Sequence, residues 1–397
     1  MTTILLDTAP HLVEPPPLAL YVHFPWCVRK CPYCDFNSHA VRDSVPEAAY
    51  IDALVADLES ALPLIWGRTI HSIFMGGGTP SLISAAGIDR LLEQVRMLTR
   101  LDPMAEITLE ANPGTVDAAN FAGYRAAGVN RLSIGVQSFH NQHLQSLGRI
   151  HDAAAAHHAI ALAKTCFDNI NLDLMYGLPG QTLDEALLDV ETALQAGASH
   201  LSCYHLTLEP NTPFYQHPPD LPDDDLTADM QDAIENRLAA AGFRHYETSA
   251  FAGPRGQTHA RCWHNLNYWQ FGDYLGIGAG AHSKLSSHEG IRRQIRHPHP
   301  KAYLEHTGNP VMQEHAVETA SLGFEFMMNA LRLTDGFDSG LFSARTGLGL
   351  HHVARALDSA EQRGLITRNL QHIQPTDIGR RFLNDLLTLF LPPRQEA

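Results

Sequence analysis

Positive charge is scarce in this sequence: Lys and Arg number 28 against 43 Asp and Glu, a net charge of −15 with His neutral. So acidic a surface repels phosphate, which argues against nucleic acid and anionic lipid as default partners. Long apolar runs are missing as well, and no window approaches the roughly 20 apolar residues of a transmembrane segment. The opening stretch MTTILLDTAPHLVEPPPLA has neither a basic n-region nor a long apolar h-region, and it carries Asp7 and Glu14. No secretory or transit signal is visible there, and a cytoplasmic location is expected. Six cysteines in 397 residues are too few for a disulfide-stapled miniprotein; in a reducing compartment they are expected as thiols, free for metal or catalysis. No repeat recurs at a fixed period.

What is present is a globular composition. Hydrophobic residues make up 44% and charged residues 18%, enough for a packed core and too apolar for a disordered chain. The length fits two or three domains of about 150 residues each. Pro15, Pro16 and Pro17 form a stiff lead-in. Short apolar runs then alternate with longer amphipathic stretches: ALYVHF (19–24), HSIFM (71–75), EITLE (106–110), RLSIGV (131–136), INLDLMY (170–176) and HLSCYHLTL (200–208). Helical patterns such as Glu47 to Ala61 and Ile88 to Leu98 separate them. Strands alternating with helices predict βαβ units and a parallel sheet. Six units fit an open α/β sheet or an incomplete (βα)6 barrel of the TIM kind. Polar or Gly-rich groups follow the strands: Cys27, GGGTP (76–80), EANP (110–113), GVQS (135–138), then Asp173 with YGLP (176–179). In a parallel barrel all carboxyl ends of strands share one face, so these groups predict one composite site.

The expected divisions are a lead segment 1–18, a partial barrel 19–215, a connecting region 216–314 and a smaller C-terminal domain 315–390, mostly helical and winged-helix-like. In the connecting region PPDLPDDD (218–225) reads as an acidic linker or helix start, and GIRRQIRHPHPK (290–301) as a local basic patch. There Arg292, Arg293 and Arg296 could meet the carboxylates of a ligand, or simply be solvated. GIGAGAH (276–282) only partly imitates a dinucleotide fingerprint and is expected to pack its backbone against the barrel.

The chemical centre is YVHFPWCVRKCPYCDFNSH (21–39), which places Cys27, Cys31 and Cys34 in a C-x3-C-x2-C spacing. Three thiolates so close on a loop leaving a strand can wrap one inorganic centre. A structural zinc would need His23 or His39 as fourth ligand, and zinc motifs usually add a second C-x2-C arm, which is lacking. A [4Fe–4S] cluster on three thiolates leaves one iron open for a cofactor. GGGTP offers backbone without Cβ hindrance but lacks the GK[ST] of a phosphate loop. Glu110 and Asp173 could accept hydrogen bonds from ribose or amino groups. Gln137 and Arg149 could hold a carboxylate, and Tyr33 could lie against an adenine ring. Each could equally be an ordinary polar residue at a barrel mouth; their joint placement favours a site.

This spacing after a first barrel strand resembles the radical S-adenosylmethionine (SAM) superfamily. YVHFPWC with its two further cysteines, GGGTP, LEANP, GVQSF and NLDLMYGLPGQT resemble the oxygen-independent coproporphyrinogen oxidase group within it, from about residue 20 to beyond 380. The oxidase branch, HemN, carries a further cysteine two residues after the third; Phe36 stands there in this sequence. The oxidases also tend to a longer N-terminal extension, whereas 26 residues precede Cys27 here. HNLNYW (264–269) is similar to the HNxxYW signature of the heme-chaperone branch, HemW. The resemblance implies a cluster on Cys27, Cys31 and Cys34. It implies SAM contacts at Tyr21, Tyr33, Gly77, Gly78, Thr79, Glu110, Gln137, Arg149 and Asp173, with Thr207 near another such position. It also implies heme at His264 and Tyr268, a heme-accepting apoprotein and an electron donor. The alternative it leaves is oxidative decarboxylation of coproporphyrinogen III. From chemistry alone, His264 could be an axial ligand with neighbouring aromatics packing a porphyrin, or simply part of an aromatic core.

Overall fold

The computed structural model describes residues 12–254 and 260–392; residues 1–11 of the expected lead segment lie outside them. The six apolar runs form the parallel strands β1 (Leu18–Phe24), β2 (Thr69–Gly77), β3 (Arg100–Ala111), β4 (Arg131–Gln137), β5 (Ile170–Tyr176) and β6 (His200–His205). Between them lie α1 (Glu47–Ile65), α2 (Ala85–Leu98), α3 (Ala118–Ala127), α4 (Ala153–Cys166) and α5 (Leu183–Ala196). The local signals are ordinary ones. Ser84 and Asp117 cap α2 and α3 through their side chains. Thr182 and Glu185 form a reciprocal capping box on α5, which ends at Gly197 in the left-handed conformation. The acidic stretch at 218–225 is a helix start: Asp223 caps α6 (Asp224–Ala240), with Asp224 and Asp225 in its first turn.

The sheet continues past the sixth unit. β7 (Arg244–Glu247) and β8 (Ala250–Ala252) extend one edge. β9 (Asp273–Ile277) pairs parallel with β1, making a seventh parallel strand, and β10 (His282–Ser287), β11 (Gly290–Arg296) and β12 (Val311–Ala316) continue antiparallel. Among the described residues the order is β12-β11-β10-β9-β1-β2-β3-β4-β5-β6-β8-β7, an unclosed barrel. GIGAGAH thus supplies β9 and its turn. A Cβ on Gly276 would meet the His282 carbonyl at 2.1 Å, so close backbone packing accounts for the glycine. The GIRRQIR run is a strand and no solvated loop: Arg292 and Arg293 pair with Glu314 and Glu325, and Arg296 is buried on Asp57.

Strand side chains alternate between faces. Leu20, Val22, Ile73, Met75, Leu109, Leu132, Ile134, Leu172 and Leu174 all belong to one core with Leu54, Leu58, Leu91, Val95, Phe121 and Ile160 of the helices. The alternate positions are polar and face the barrel interior: Ser72, Glu106, Thr108, Arg131, Ser133, Asn171, His200 and Ser202 are all buried. A barrel with an apolar outer coat and a polar lumen is shaped to hold a charged ligand. The short helix α7 (Trp263–Trp269) packs across the amino-terminal half of these strands, with His264 bonded to Ser72 of β2.

The C-terminal part has its own core of Phe326, Met327, Phe337, Phe342, Leu357, Ile373 and Leu386. It contains α8 (Thr319–Ala330), α9 (Ser339–Thr346) and α10 (Ala354–Gln362), with a three-stranded sheet that includes the hairpin Ile366–Arg368 and His372–Pro375.

Candidate functional site at the barrel mouth

The carboxyl ends of the strands surround a cavity of about 500 Å³. Cys27, Cys31, Cys34, Tyr33, Gly77, Gly78, Thr79, Glu110, Gln137, Arg149, Asp173 and Thr207 all line it. Tyr21, His264 and Tyr268 do not. All six cysteines are free thiols. Among the described residues no three His, Cys, Asp or Glu side chains are gathered to hold one metal ion; the three thiols rim the cavity instead.

The cysteine loop is pinned at both ends. Trp26 and Cys27 pair with His39 and Ala40, and the Cys34 amide donates to the Cys31 carbonyl at 3.2 Å. His23 holds the carbonyl of Asn37, and Asn37 donates to the carbonyls of Ala279 and Pro298. Arg149 bonds the Gly135 carbonyl at 2.7 Å and reaches the Cys31 sulfur at 3.7 Å. A guanidinium at that place favours thiolate character and any anionic centre built on it. Burial pushes the Cys27 and Cys34 thiols up, so loading a metal centre there must release protons.

The glycines fit a ligand cradle. A Cβ on Gly78 would lie 2.5 Å from the Trp26 carbonyl, directly behind Cys27. Gly77 has φ +111°, and its amide donates to Glu110 at 3.1 Å. Burial first, and then neighbouring Asp173, pushes the Glu110 carboxyl up to about 8. Asp173 is also pushed up by burial, against hydrogen bonds from Asn171 at 2.7 Å and Ser133 at 3.0 Å. Glu110, raised by burial and by Asp173, beside a second carboxyl raised by burial, makes a receptor for positive charge. Gln137 sits at φ 71°, a left-handed conformation uncommon for a non-glycine residue and concentrated at functional sites. Donor set, glycine backbone and paired carboxyls together fit a cationic nucleotide bound beside a cluster.

The motif HNLNYW lies elsewhere. His264 is 1% exposed; its Nδ1 meets Ser72 Oγ at 3.1 Å, while Nε2 is buried without a partner. Burial and Arg131 push its pKa down to about 3, so the ring is neutral. Tyr268 packs edge-on at 5.0 Å, one turn along α7, and the Tyr21 ring is 6.4 Å from His264. Glu106 accepts from the amides of Trp263 and His264, capping the helix from inside the barrel.

Residues not singled out from the sequence connect the two places. The Cys262 amide donates to Tyr246 Oη, which bonds His200 Nε2 at 2.8 Å; His200 Nδ1 meets Asn171 Oδ1 at 2.6 Å, and Asn171 Nδ2 donates to Asp173. That orientation of Asn171 makes His200 the Nδ1–H tautomer, neutral through burial and Arg131. Met175, Tyr204 and Glu209 also line the cavity. Their signal was position alone, at or just beyond the carboxyl ends of strands.

The strand-end cavity and the open parallel barrel define a radical SAM protein. The Radical SAM superfamily signature matches residues 21–193, and the HemN C-terminal domain matches residues 320–382. The chain belongs to the HemW family. It is 48% identical to "Heme chaperone HemW" of Haemophilus influenzae, over 95% of this chain and 98% of the relative. It is 47% identical to that of Escherichia coli, over 96% and 100%. The solved coproporphyrinogen III oxidase (HemN) of Escherichia coli shares the fold with a TM-score of 0.79 at 24% identity, covering 95% of this chain and 90% of that one.

Proposed function

We propose that this protein is a heme chaperone that binds heme and passes it to an acceptor apoprotein, with a [4Fe–4S] cluster and SAM at the barrel mouth. The observation that carries this reading is the 47–48% identity to proteins named heme chaperones, which runs through barrel, HNLNYW helix and C-terminal domain alike. Phe36 supports it: the residue two places after Cys34 is a half-exposed phenyl ring on the cavity rim, where the oxidase branch has a thiol.

Cys27, Cys31 and Cys34 would hold the cluster, leaving its fourth iron to SAM. When bound, this pair supplies one-electron chemistry fed by an external electron donor. The chain's own residues do the positioning. Gly77, Gly78 and Thr79 give close backbone approach, Glu110 and Asp173 receive positive charge, and Arg149 and Gln137 stand beside Cys31 and Gly135 to orient a carboxylate. Tyr33 supplies an aromatic wall, and Thr207, bonded to Glu209 at 2.7 Å, closes the far rim. Tyr21 acts one layer deeper, holding His23 at 3.0 Å beneath Gly77. His264 and Tyr268 belong to the heme function as the helix that completes the barrel floor. Among the described residues no helix is long and apolar enough to cross a membrane; the free thiols accord with the reducing cytoplasm we infer as its place of work.

The test is a ferric heme titration of purified protein beside an anaerobic coproporphyrinogen oxidase assay with SAM and a reductant. A Soret band saturating near one heme per chain, without protoporphyrinogen formation, is the expected result. Failure to bind heme, or turnover of coproporphyrinogen, overturns the chaperone reading in favour of the oxidase.

A further inference from the structure

His264, the histidine that the motif offers for heme, is sealed inside the barrel, and no described residue bonds its Nε2. An iron ligand must reach a cavity large enough for a porphyrin. A groove of about 990 Å³ lies at the amino-terminal ends of β1 and β2, against the C-terminal domain. The lead-in segment supplies Pro15, Pro16 and Pro17, the barrel supplies Trp66 and His71, and the C-terminal domain supplies Arg345.

His71 adjoins Ser72, the partner of His264, but is itself exposed. Its Nδ1 meets Asp102 Oδ2 at 3.1 Å, and Nε2 is bonded to no described residue. A carboxylate on Nδ1 fixes the tautomer and leaves the Nε2 lone pair for a metal. The pairing has a specific structural cause. β2 advances from Ile70 to Ser72 while β3 advances from Leu101 to Glu106, so β3 bulges and carries Asp102 beside His71. Bulges recur where a strand must re-aim a side chain at a site. The Met104 amide and His71 hold the Asp102 carboxyl below its usual range, so it stays ionised.

The rest of the groove suits a flat amphiphilic dianion. Trp66, 84% exposed, and the three prolines offer apolar faces. Arg345 has no carboxylate partner among the described residues, and its Nε donates to the Gln270 carbonyl just beyond α7. The HNLNYW helix therefore backs the groove without entering it.

We propose that heme sits in this groove with His71 Nε2 as axial ligand, Asp102 orienting that imidazole, Trp66 against the porphyrin and Arg345 at a propionate. The proposal rests on the heme-chaperone reading and gives it an atom. Ligation donates the Nε2 lone pair to iron; no proton or electron moves.

The experiment is a ferric heme titration of the full chain, followed by absorbance and electron paramagnetic resonance, for wild type, His71→Ala, His71→Gln and Asp102→Asn. Both His71 substitutions should weaken binding by about tenfold or more and remove the imidazole-ligated spectrum, and added imidazole should restore that spectrum in His71→Ala. Asp102→Asn should keep the ligand but weaken binding by up to about tenfold. His264→Ala with Tyr268→Ala should weaken binding while keeping the ligated spectrum. If wild type binds heme and both His71 variants bind it with the same affinity and spectrum, the groove assignment is wrong and the chaperone reading stands. If wild type binds no heme, the chaperone reading itself falls.

Discussion

The two ends of the barrel are built on opposite terms. At the mouth the thiols are part-exposed, the backbone is strained at Gln137, and two carboxyls are crowded together around empty volume. At the floor, Glu106, Arg131, His200 and His264 are all buried; Glu106 accepts from the start of α7, both ring nitrogens of His200 are bonded within the protein, and His264 is bonded through Nδ1. The mouth therefore holds its polar groups for a ligand, and the floor spends them on holding α7 in place. Substitutions should separate the two: changes at the mouth should alter what the protein binds, and changes at the floor should alter whether it stays folded.

The largest effect tests the mouth. Replacing Cys27, Cys31 or Cys34 singly with Ala should abolish the brown chromophore and its bound iron after anaerobic reconstitution. The denaturation midpoint of the metal-free protein should move little, because each part-exposed thiol removes few packed atoms. Retention of iron by any of the three variants would break the assignment. At the floor, Glu106→Ala should do the reverse. It strips acceptors from the Trp263 and His264 amides and the Cys262 thiol. We expect a loss of about 3 kcal/mol in chemical denaturation, since buried donors left unpaired and a buried charge network broken both carry heavy penalties. Gly78→Ala lies between these cases. Its Cβ has backbone on the far side, the Trp26 carbonyl, which cannot swing away. A stability loss of about 1–3 kcal/mol should accompany a lower cluster yield, read from iron content per chain.

The mouth was legible in the sequence because each of its parts is a short contiguous motif ending a strand. Cys27 to Cys34, GGGTP and the end of EITLE could be placed on one face from the alternation of strand and helix alone. The floor was not legible in this way. Glu106, Arg131, Asn171 and His200 are distant in sequence, each sits inside an apolar run, and only the register of the strands makes them neighbours. The same limit hid β9. Asp273–Ile277 is a short run in a Gly-rich stretch, and it becomes a parallel strand because Asp273 is tied to Arg68 and Lys284, and the Gly278 amide to Asp57, which also pairs with Arg296. His264 was found by its motif, but its seclusion follows from tertiary packing that no local pattern reports.

The crowded carboxyls at the mouth give a pH signature of their own. Glu110 rises from near 4.5 to about 8 in the folded chain. Between those values the folded protein holds a proton that the unfolded chain has lost, so this group's contribution to stability is full below about 4.5 and falls as pH rises toward about 8. Glu110→Gln should flatten that part of the thermal-melting profile in the ligand-free protein. A cation entering the site acts in the opposite direction, favouring the ionised carboxylate. SAM binding should therefore release a proton and tighten as pH rises toward about 8, which calorimetry in two buffers of different ionisation enthalpy can read. An unchanged profile in the Gln variant would place the titration elsewhere, Asp173 being the next group to examine.

The smallest expected effect is a null, and it bears on which positive charges matter for heme. Arg292, Arg293 and Arg296 look alike in the sequence, but the fold gives them three different environments. Arg292 is exposed between Glu289 and Glu314, Arg293 is part-buried on Tyr274 and Glu325, and Arg296 is buried on Asp57. An exposed arginine already flanked by two carboxylates offers little field to a porphyrin propionate, and exposed pairs contribute little to folding. Arg292→Ala should leave both the heme titration and the melting temperature unchanged, whereas Arg345→Ala in the large groove should weaken heme binding. If Arg292→Ala proved the more damaging of the two, the site for heme carboxylates would move to the β11 edge of the sheet, and with it the contrast between a binding mouth and a structural floor would need a third term.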